Sequence, residues 1–536
     1  MKQQQRRQQP RQKKNSKVKF NPSQQQQRVN FEAKQKPTSV SDMDRKLETA
    51  SKAFNDISWY TKNAQLLRDA ASLPMNTQLG NRLFPNRVGS AGNDAKSVPG
   101  ILSIEFVPSF GITEADNNHS PLDVALTNIY SFVRHANSGS ANYDRVDLGL
   151  YLICSDSAFM FYNWMQRLYG ICMTFNGYNR YIPQALVKAN YVNYDDILMH
   201  LNDFRAFMNQ FALRCDCLWI PSNMPIFVRH SWMVSNVYKD SENDRSQLYQ
   251  FVPNGFYRYD ETSSSSGGFA KFVPFNFDTP LSYNDIVNYG NSIINSLLDS
   301  EDIGIIAGDI RKAYGESNLF SVNTTSEDYR VEPVYNSEVL MQIENSNAFG
   351  SFGTSWERGG FDITQDVDNQ SLIFNPECVL AEDSFGHATQ KIFLNFHHDN
   401  VTPEDIMIAT RLTTQYSAVE KPAQGLHCYI QACGSEIVTR YRYFQNLFTE
   451  NGRILSDVPF STFISASFAD YISDLVVFRC RPAIYFQKKS GPTNSPIYVY
   501  SPFPAVEVDN FTYVEENTMV NLHTTALFSE LGVPIN

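Results

Sequence analysis

Cys215-Asp216-Cys217, and His427-Cys428 with Cys433 shortly after, carry residue types that ligate soft metals. Neither spacing is that of a zinc knuckle or ribbon, so the expectation is buried thiols and no metal. The eight cysteines, Cys154, Cys172, Cys215, Cys217, Cys378, Cys428, Cys433 and Cys480, are scattered through 536 residues rather than gathered into a disulfide framework. That pattern fits a chain that folds in reducing surroundings. His397-His398-Asp399 is a weaker group still, because adjacent side chains leave most backbones on different sides; it is expected in a loop ahead of a helix at Pro403-Glu404-Asp405. No GxxxxGK[ST], HExxH, GxSxG or Gly-Asp-Asp pattern occurs, so no catalytic residue and no cofactor are expected.

The stronger chemistry is electrostatic. Lys2, Arg6, Arg7, Arg11, Lys13, Lys14, Lys17, Lys19, Arg28, Lys34 and Lys36 face a single acid, Glu32, within residues 1–36, a net of +10. The whole chain carries −11, which leaves −21 on residues 37–536. A polycation of this kind binds phosphates with little regard for base sequence, and the acidic remainder repels them. The segment also holds eleven Gln and few apolar groups, too little to offset the entropy of ordering, so residues 1–40 are predicted to be a disordered RNA-binding arm. Lys17-Val18-Lys19-Phe20 and Arg28-Val29-Asn30-Phe31 echo each other, either as two docking strips or by chance in a biased segment.

Two later arginine pairs alternate along predicted strands: Arg440 and Arg442 in "IVTRYRYF", and Arg479 and Arg481 in "DLVVFRCRPAIYF". Period two puts each pair on one strand face. Two readings are open, a phosphate-contacting patch, or a solvated face or ion pairs with neighbouring acids.

The elements that must position these groups follow from apolar spacing. Met43, Leu47, Ala50, Phe54 and Ile57 make a narrow helical seam over 41–57, opened by Ser41 and Asp44 as a capping box; it needs a partner, either the chain's own body or a neighbouring subunit. Residues 58–314 are helix-rich. Ser120-Pro121 starts a helix with Leu122, Ala125, Leu126, Ile129, Val133 and Ala136 on one face, and Ile197 to Ala212 predict a single helix from about Tyr194 to Cys215. Ile286, Ile293, Ile294 and Leu297 mark another, and Met519, Leu522, Ala526, Leu527 and Leu531 a last one, stopped by Gly532 and Pro534. Residues 315–400 are polar, with short strand-like runs ("SEVLMQI", "QSLIF") and fourteen acids against Arg330, Arg358 and Lys391, about half of the body's net negative charge. Such a segment is expected to face water. Strands return after residue 430. No apolar run is long enough to span a membrane and no signal peptide opens the chain.

Four stretches then carry a resemblance: "SWYTKNAQLLRDAASLP" (58–74), "VPGILSIEFVPSFG" (98–111), "NSGSANYDRVDLGLYLICSDS" (137–157) and "RLYGICMTFNGYNRYIPQALVKANY" (167–191). In wording and order they resemble the capsid proteins of picobirnaviruses, close to the human-virus type. The resemblance implies an α+β chain with a predominantly α-helical shell domain (58–314 and 401–536), a β-containing protruding insert (315–400) and the basic arm facing inward. It implies a protein that dimerises and builds an icosahedral shell around a segmented double-stranded RNA genome, found in the virion and assembled in the host cytoplasm. Its partners would be itself and RNA, with no receptor legible. Some relatives shed an N-terminal peptide; no protease constellation is visible here. The alternative from another class is a cytosolic RNA-binding regulator with a basic tail.

Overall fold

The structure, a computed structural model, describes residues 60–70, 100–114, 119–137, 143–174, 181–242, 246–261, 267–348, 356, 358–366, 368–380, 392–421, 425–449, 452–460, 475, 477–482, 488–489, 496–497 and 510–533. The chain divides into two units, Met1–Met75 and Asn76–Asn536. In the first, the described element is α1 (Ala64–Ala70), begun by Asn63, whose side chain accepts the Leu66 N–H at 3.1 Å. The basic arm and the 41–57 seam lie outside the described residues.

The second unit opens with β1 (Ile101–Pro108), a run buried at every position. Next, α2 (Pro121–Ala136) starts as the sequence predicts: the Ser120 hydroxyl accepts the Asp123 N–H, and Leu122, Ala125, Leu126, Ile129 and Val133 face the core. The 30-residue α3 (Arg145–Thr174) is the axis of the unit. From Leu148 to Tyr162 it is mostly apolar and every residue is buried, so it is surrounded rather than laid on a surface. α2, α6 (Leu201–Cys215), α7 (Pro225–Ser235), α8 (Tyr283–Leu298) and β4 (Gly255–Asp260) surround it. Gly170 lets an extended segment cross α3, since a Cβ there would meet the Val331 side chain at 2.5 Å.

Between these lie α4 (Tyr181–Ala189), α5 (Tyr194–Met199), β2 (Tyr238–Lys239), β3 (Leu248–Pro253) and β5 (Phe269–Pro274). The single helix expected over 194–215 is therefore two. His200 breaks it, with φ −109° and ψ 20°: its N–H closes α5 on the Asp196 and Ile197 carbonyls, and its ring stacks on Tyr283. Both halves keep the expected buried face, Ile197 in α5 and Phe204, Met208, Phe211 and Ala212 in α6.

After α9 (Glu301–Tyr314) come β6 (Val334–Tyr335), α10 (Ser337–Glu344), β7 (Thr364–Asp366), β8 (Ser371–Ile373), β9 (Glu377–Leu380) and β10 (Ile392–Phe396). "SEVLMQI", read as strand-like, is helix α10. The Asn336 side chain accepts the Glu338 and Val339 N–H groups, and Val339, Leu340 and Ile343 then fall on one buried face. Much of the described part of 315–400 shares the main core: β6 joins the central sheet, and Val331, Ile343, Phe361, Leu372 and Cys378 pack in the same apolar cluster as α3, while Ile392, Leu394 and Phe396 of β10 belong to a second, smaller cluster.

The chain continues through α11 (Pro403–Ala409), β11 (Thr414–Lys421), β12 (Gly425–Cys433), β13 (Glu436–Thr449), β14 (Gly452–Phe460), β15 (Lys488–Lys489), β16 (Pro496–Ile497), β17 (Asn510–Val514) and α12 (Glu516–Glu530). The His397-His398-Asp399 loop precedes α11 as expected, with Thr402 and Asp405 forming a capping box. The central sheet has the order β14-β13-β1-β3-β2-β6, with β1 antiparallel to β13 and parallel to β3. A second sheet runs β11-β12-β9. The strand expected around Arg479 and Arg481 is not formed by its described residues: Phe478 N–H bonds to the Leu475 carbonyl, and Arg481 Nη1 folds back onto the Phe478 carbonyl at 2.6 Å, which closes a turn.

Candidate functional site

Of the two sequence-predicted arginine pairs, Arg479 and Arg481 lie in the turn after Phe478, one exposed and one buried, and Arg440 and Arg442 lie in the sheet interior. β1 contributes a lone acid, Glu105, inside the apolar run "ILSIEFVP", in register with Arg440. Glu105 is fully buried. Arg440 Nε donates to Glu105 Oε2 at 2.9 Å, Tyr191 O–H donates to Oε1 at 2.6 Å, and Arg442 forms a second ion pair with Glu105. Arg442 also reaches Asp457 at 3.3 Å, and Lys188 meets the same carboxylate at 3.2 Å. Burial alone would raise the Glu105 carboxyl; Arg442 and Arg440 outweigh it and hold it below the usual range. Tyr191 pays for its place with a left-handed backbone, φ 61°, a conformation costing about 1–2 kcal/mol for a non-glycine residue. The ion-pair reading of this strand is the one realised, because both guanidinium groups are taken up by carboxylates.

A second ionic group ties four elements together. His230 on α7 bonds through Nδ1 to Asp156 of α3 at 2.6 Å, and through Nε2 to the Ser435 carbonyl at 2.8 Å. Its neighbour Arg229 grips Glu436 at the start of β13 with Nε and Nη2, each at 2.8 Å. Glu530 of α12 lies 3.9 Å from Arg411 Nη1, and His523 of α12 faces Thr413 Oγ1 at 3.4 Å. Burial lowers the affinity of His230 for its proton, but Asp156 more than restores it, to about 9, while burial raises the Asp156 carboxyl in turn, so the pair shares a proton that both ring nitrogens are placed to hold, with Asp156 and the Ser435 carbonyl as acceptors. His523 goes the other way: burial, with Arg411 adding to it, keeps its pKa well below the ordinary value.

Asp156, His230 and Ser435 have the residue types of a hydrolytic triad without its geometry. His230 meets the serine carbonyl, the Ser435 hydroxyl donates to Glu436 at 2.9 Å, and His230 and Asp156 are 0% and 1% exposed. The group fixes backbone and does not activate a nucleophile. A cleft of about 370 Å³ beside α3 and α7 is lined by Asn163, Gln166, Trp232 and Ser235, with no carboxylate, histidine or cysteine in its lining. Among the described residues no three His, Cys, Asp or Glu side chains gather closely enough to hold a metal, and no helix is long and apolar enough to cross a membrane. The cysteines are thiols, most of them buried, with Cys217 exposed. Sequence reasoning missed Glu105, Tyr191, His230 and Glu436; a lone acid within an apolar strand was the one signal available for Glu105.

The built chemistry is thus cohesive, and comparison with known proteins gives it a setting. Residues 59–451 match the family described as Picobirnavirus, Capsid protein. The chain belongs to the picobirnavirus capsid protein family. It is 26% identical over 518 residues to the capsid protein precursor of a human picobirnavirus (strain Human/Thailand/Hy005102/-), covering 90% of this chain and 91% of that one. Its fold matches the X-ray crystallographic structure of the picobirnavirus capsid with a TM-score of 0.78 at 20% identity, over 90% of this chain and 100% of that one. This capsid protein is therefore α+β, as expected, and its role is that of a structural protein of the virion.

Proposed function

We propose that this capsid protein dimerises and closes into an icosahedral shell around a segmented double-stranded RNA genome. Residues 1–36 line the inside and bind RNA without sequence preference. The observation that carries this reading is the division of charge in a capsid-family chain, +10 on the first 36 residues against −21 on the rest. A polycation attached to an acidic wall concentrates nucleic acid on the side where the polycation lies, and leaves the other side indifferent to it. The 41–57 helix would tether the arm to the wall through Met43, Leu47, Ala50, Phe54 and Ile57. The acidic 315–400 segment would contribute to the outer face, with assembly taking place in the host cytoplasm. No residue is assigned a catalytic role, including in any trimming of the N-terminus.

Deleting residues 2–36 tests the proposal. Particles should still form, seen by negative-stain microscopy, yet carry much less host RNA, read as a lower ratio of absorbance at 260 to 280 nm. Truncated particles that package as much RNA as the full chain would refute the arm's role. A stable monodisperse monomer of the full chain would refute the shell.

A further inference from the structure

The second sheet places two thiols side by side. In β12 and β9, which are antiparallel, Cys428 and Cys378 are direct partners in register. Directly opposed residues of antiparallel strands project from the same face, with Cα atoms about 4.5–5.5 Å apart. That interval falls inside the range of about 4.4–6.8 Å that disulfides span, so the strand register brings the two thiols within bonding reach of each other. Both side chains are 0% exposed. The row they occupy continues through Ala418 of β11 on one side and Trp356 on the other, where Trp356 pairs with Cys378 through an isolated bridge. Cys433, by contrast, is opposite Thr414 and contacts Ser109, and Cys215 and Cys217 sit two residues apart, one buried at the end of α6 and one exposed just beyond it.

We infer that Cys378 and Cys428 are a covalent modification site, a dithiol that closes to a cross-strand disulfide when the protein leaves reducing surroundings for an oxidising one. The oxidant is a small disulfide such as oxidised glutathione. One cysteine thiolate attacks it, forming a protein–glutathione mixed disulfide and releasing one glutathione thiolate. The second cysteine, deprotonated in turn, attacks the protein sulfur of that mixed disulfide and releases the second glutathione. The two protein thiols lose two protons and two electrons, and the oxidant's S–S bond gains them as two thiols. The product bridges positions 378 and 428 and fastens β9 to the middle strand of its sheet. Burial pushes the Cys428 thiol up to about 12 and raises Cys378 as well, so few thiolates exist at neutral pH and closure is slow. A reducing cell would keep the pair open; long exposure to an oxidising medium would close it.

The test uses the full chain with oxidised glutathione for a day at neutral pH, with and without urea below the unfolding transition. Proteolysis without reductant and mass spectrometry follow. The expected result is a linked peptide pair joining 378 and 428, lighter by about 2 Da than the two separate thiol peptides. The exposed Cys217 carries a glutathione adduct in the same sample and reports that the oxidant was active. In Cys378→Ser or Cys428→Ser, whose folding is checked by circular dichroism, the link should vanish and the remaining thiol should retain glutathione. Recovery of Cys378 and Cys428 as two separate thiols or two separate adducts in both conditions, with Cys217 fully modified, overturns the inference.

Discussion

Glu105 balances two guanidinium groups inside a sheet, and that makes it the residue most sensitive to a small change. Glu105→Gln keeps the shape but leaves Arg440 and Arg442 without their shared carboxylate. The expected cost is about 3–5 kcal/mol of stability, measured as a loss in urea resistance. A second change, Arg442→Met, should recover part of it, because an apolar side chain of similar reach removes the uncompensated charge. The two buried histidines give opposite pH dependences. His230 titrates near 9 in the folded protein, so its contribution is complete below about pH 6.5 and is lost as pH rises through 9. His523 is held neutral, so its contribution is complete above about pH 6.5 and is lost as pH falls toward its depressed value. Melting curves of His523→Leu should therefore converge on those of the native chain as pH drops from 7 to 5, while His230→Gln should converge above pH 9. Parallel curves at all pH values would show that neither ring changes its charge as described.

Among the elements, those that sit on a surface were legible and those fully enclosed were not. α2 and α12 show a polar face, so spacing gave their existence and most of their buried residues, although Ala136 is exposed, Leu522 is half-buried and the buried residue beside it is His523; the Ser120 cap was legible for the same local reason. α3 gives no such signal, because a helix buried on every side has no polar face to set a period. α10 was misread since eight residues with a central "VLM" suit either state, and the deciding cap, Asn336, stands just outside the run. The seam helix over 41–57 is an element-scale expectation of the opposite kind, strongly periodic and awaiting its partner. Replacing Leu47 and Phe54 together by Asp should reduce dimers and particles several-fold in size-exclusion chromatography, since each charge would enter an apolar contact. Unchanged particle yield would remove this helix from assembly.

For the whole molecule, charge matters more than any one contact. The arm has ten net positive charges and no aromatic platform beyond Phe20 and Phe31, so binding through it should be phosphate-driven. Affinity of the unassembled protein for RNA should fall by about 0.7–0.9 of a log unit per neutralised phosphate for each log unit of salt. Changing Arg6, Arg7, Arg11, Lys13, Lys14, Lys17 and Lys19 to Gln should flatten that slope while leaving particle formation intact. A slope unchanged by the seven substitutions would move RNA binding to the body of the chain.

By itself the sequence determined the charge division, the family resemblance, the α+β class and the helices whose periodicity or caps are local. Those properties depend on composition or on residues within a few turns of one another. Tertiary structure decided what the arginines of β13 do. Arg440 and Arg442 have the same alternation whether they face phosphate or carboxylate, and their partner Glu105 lies more than 300 positions earlier. It likewise decided that α3 is an enclosed axis, that His200 divides α5 from α6, that the proton affinity of His230 is raised and that of His523 lowered, and that Cys378 and Cys428 are opposite each other. Each of these depends on desolvation or strand register between distant segments, and neither quantity exists until the chain has folded.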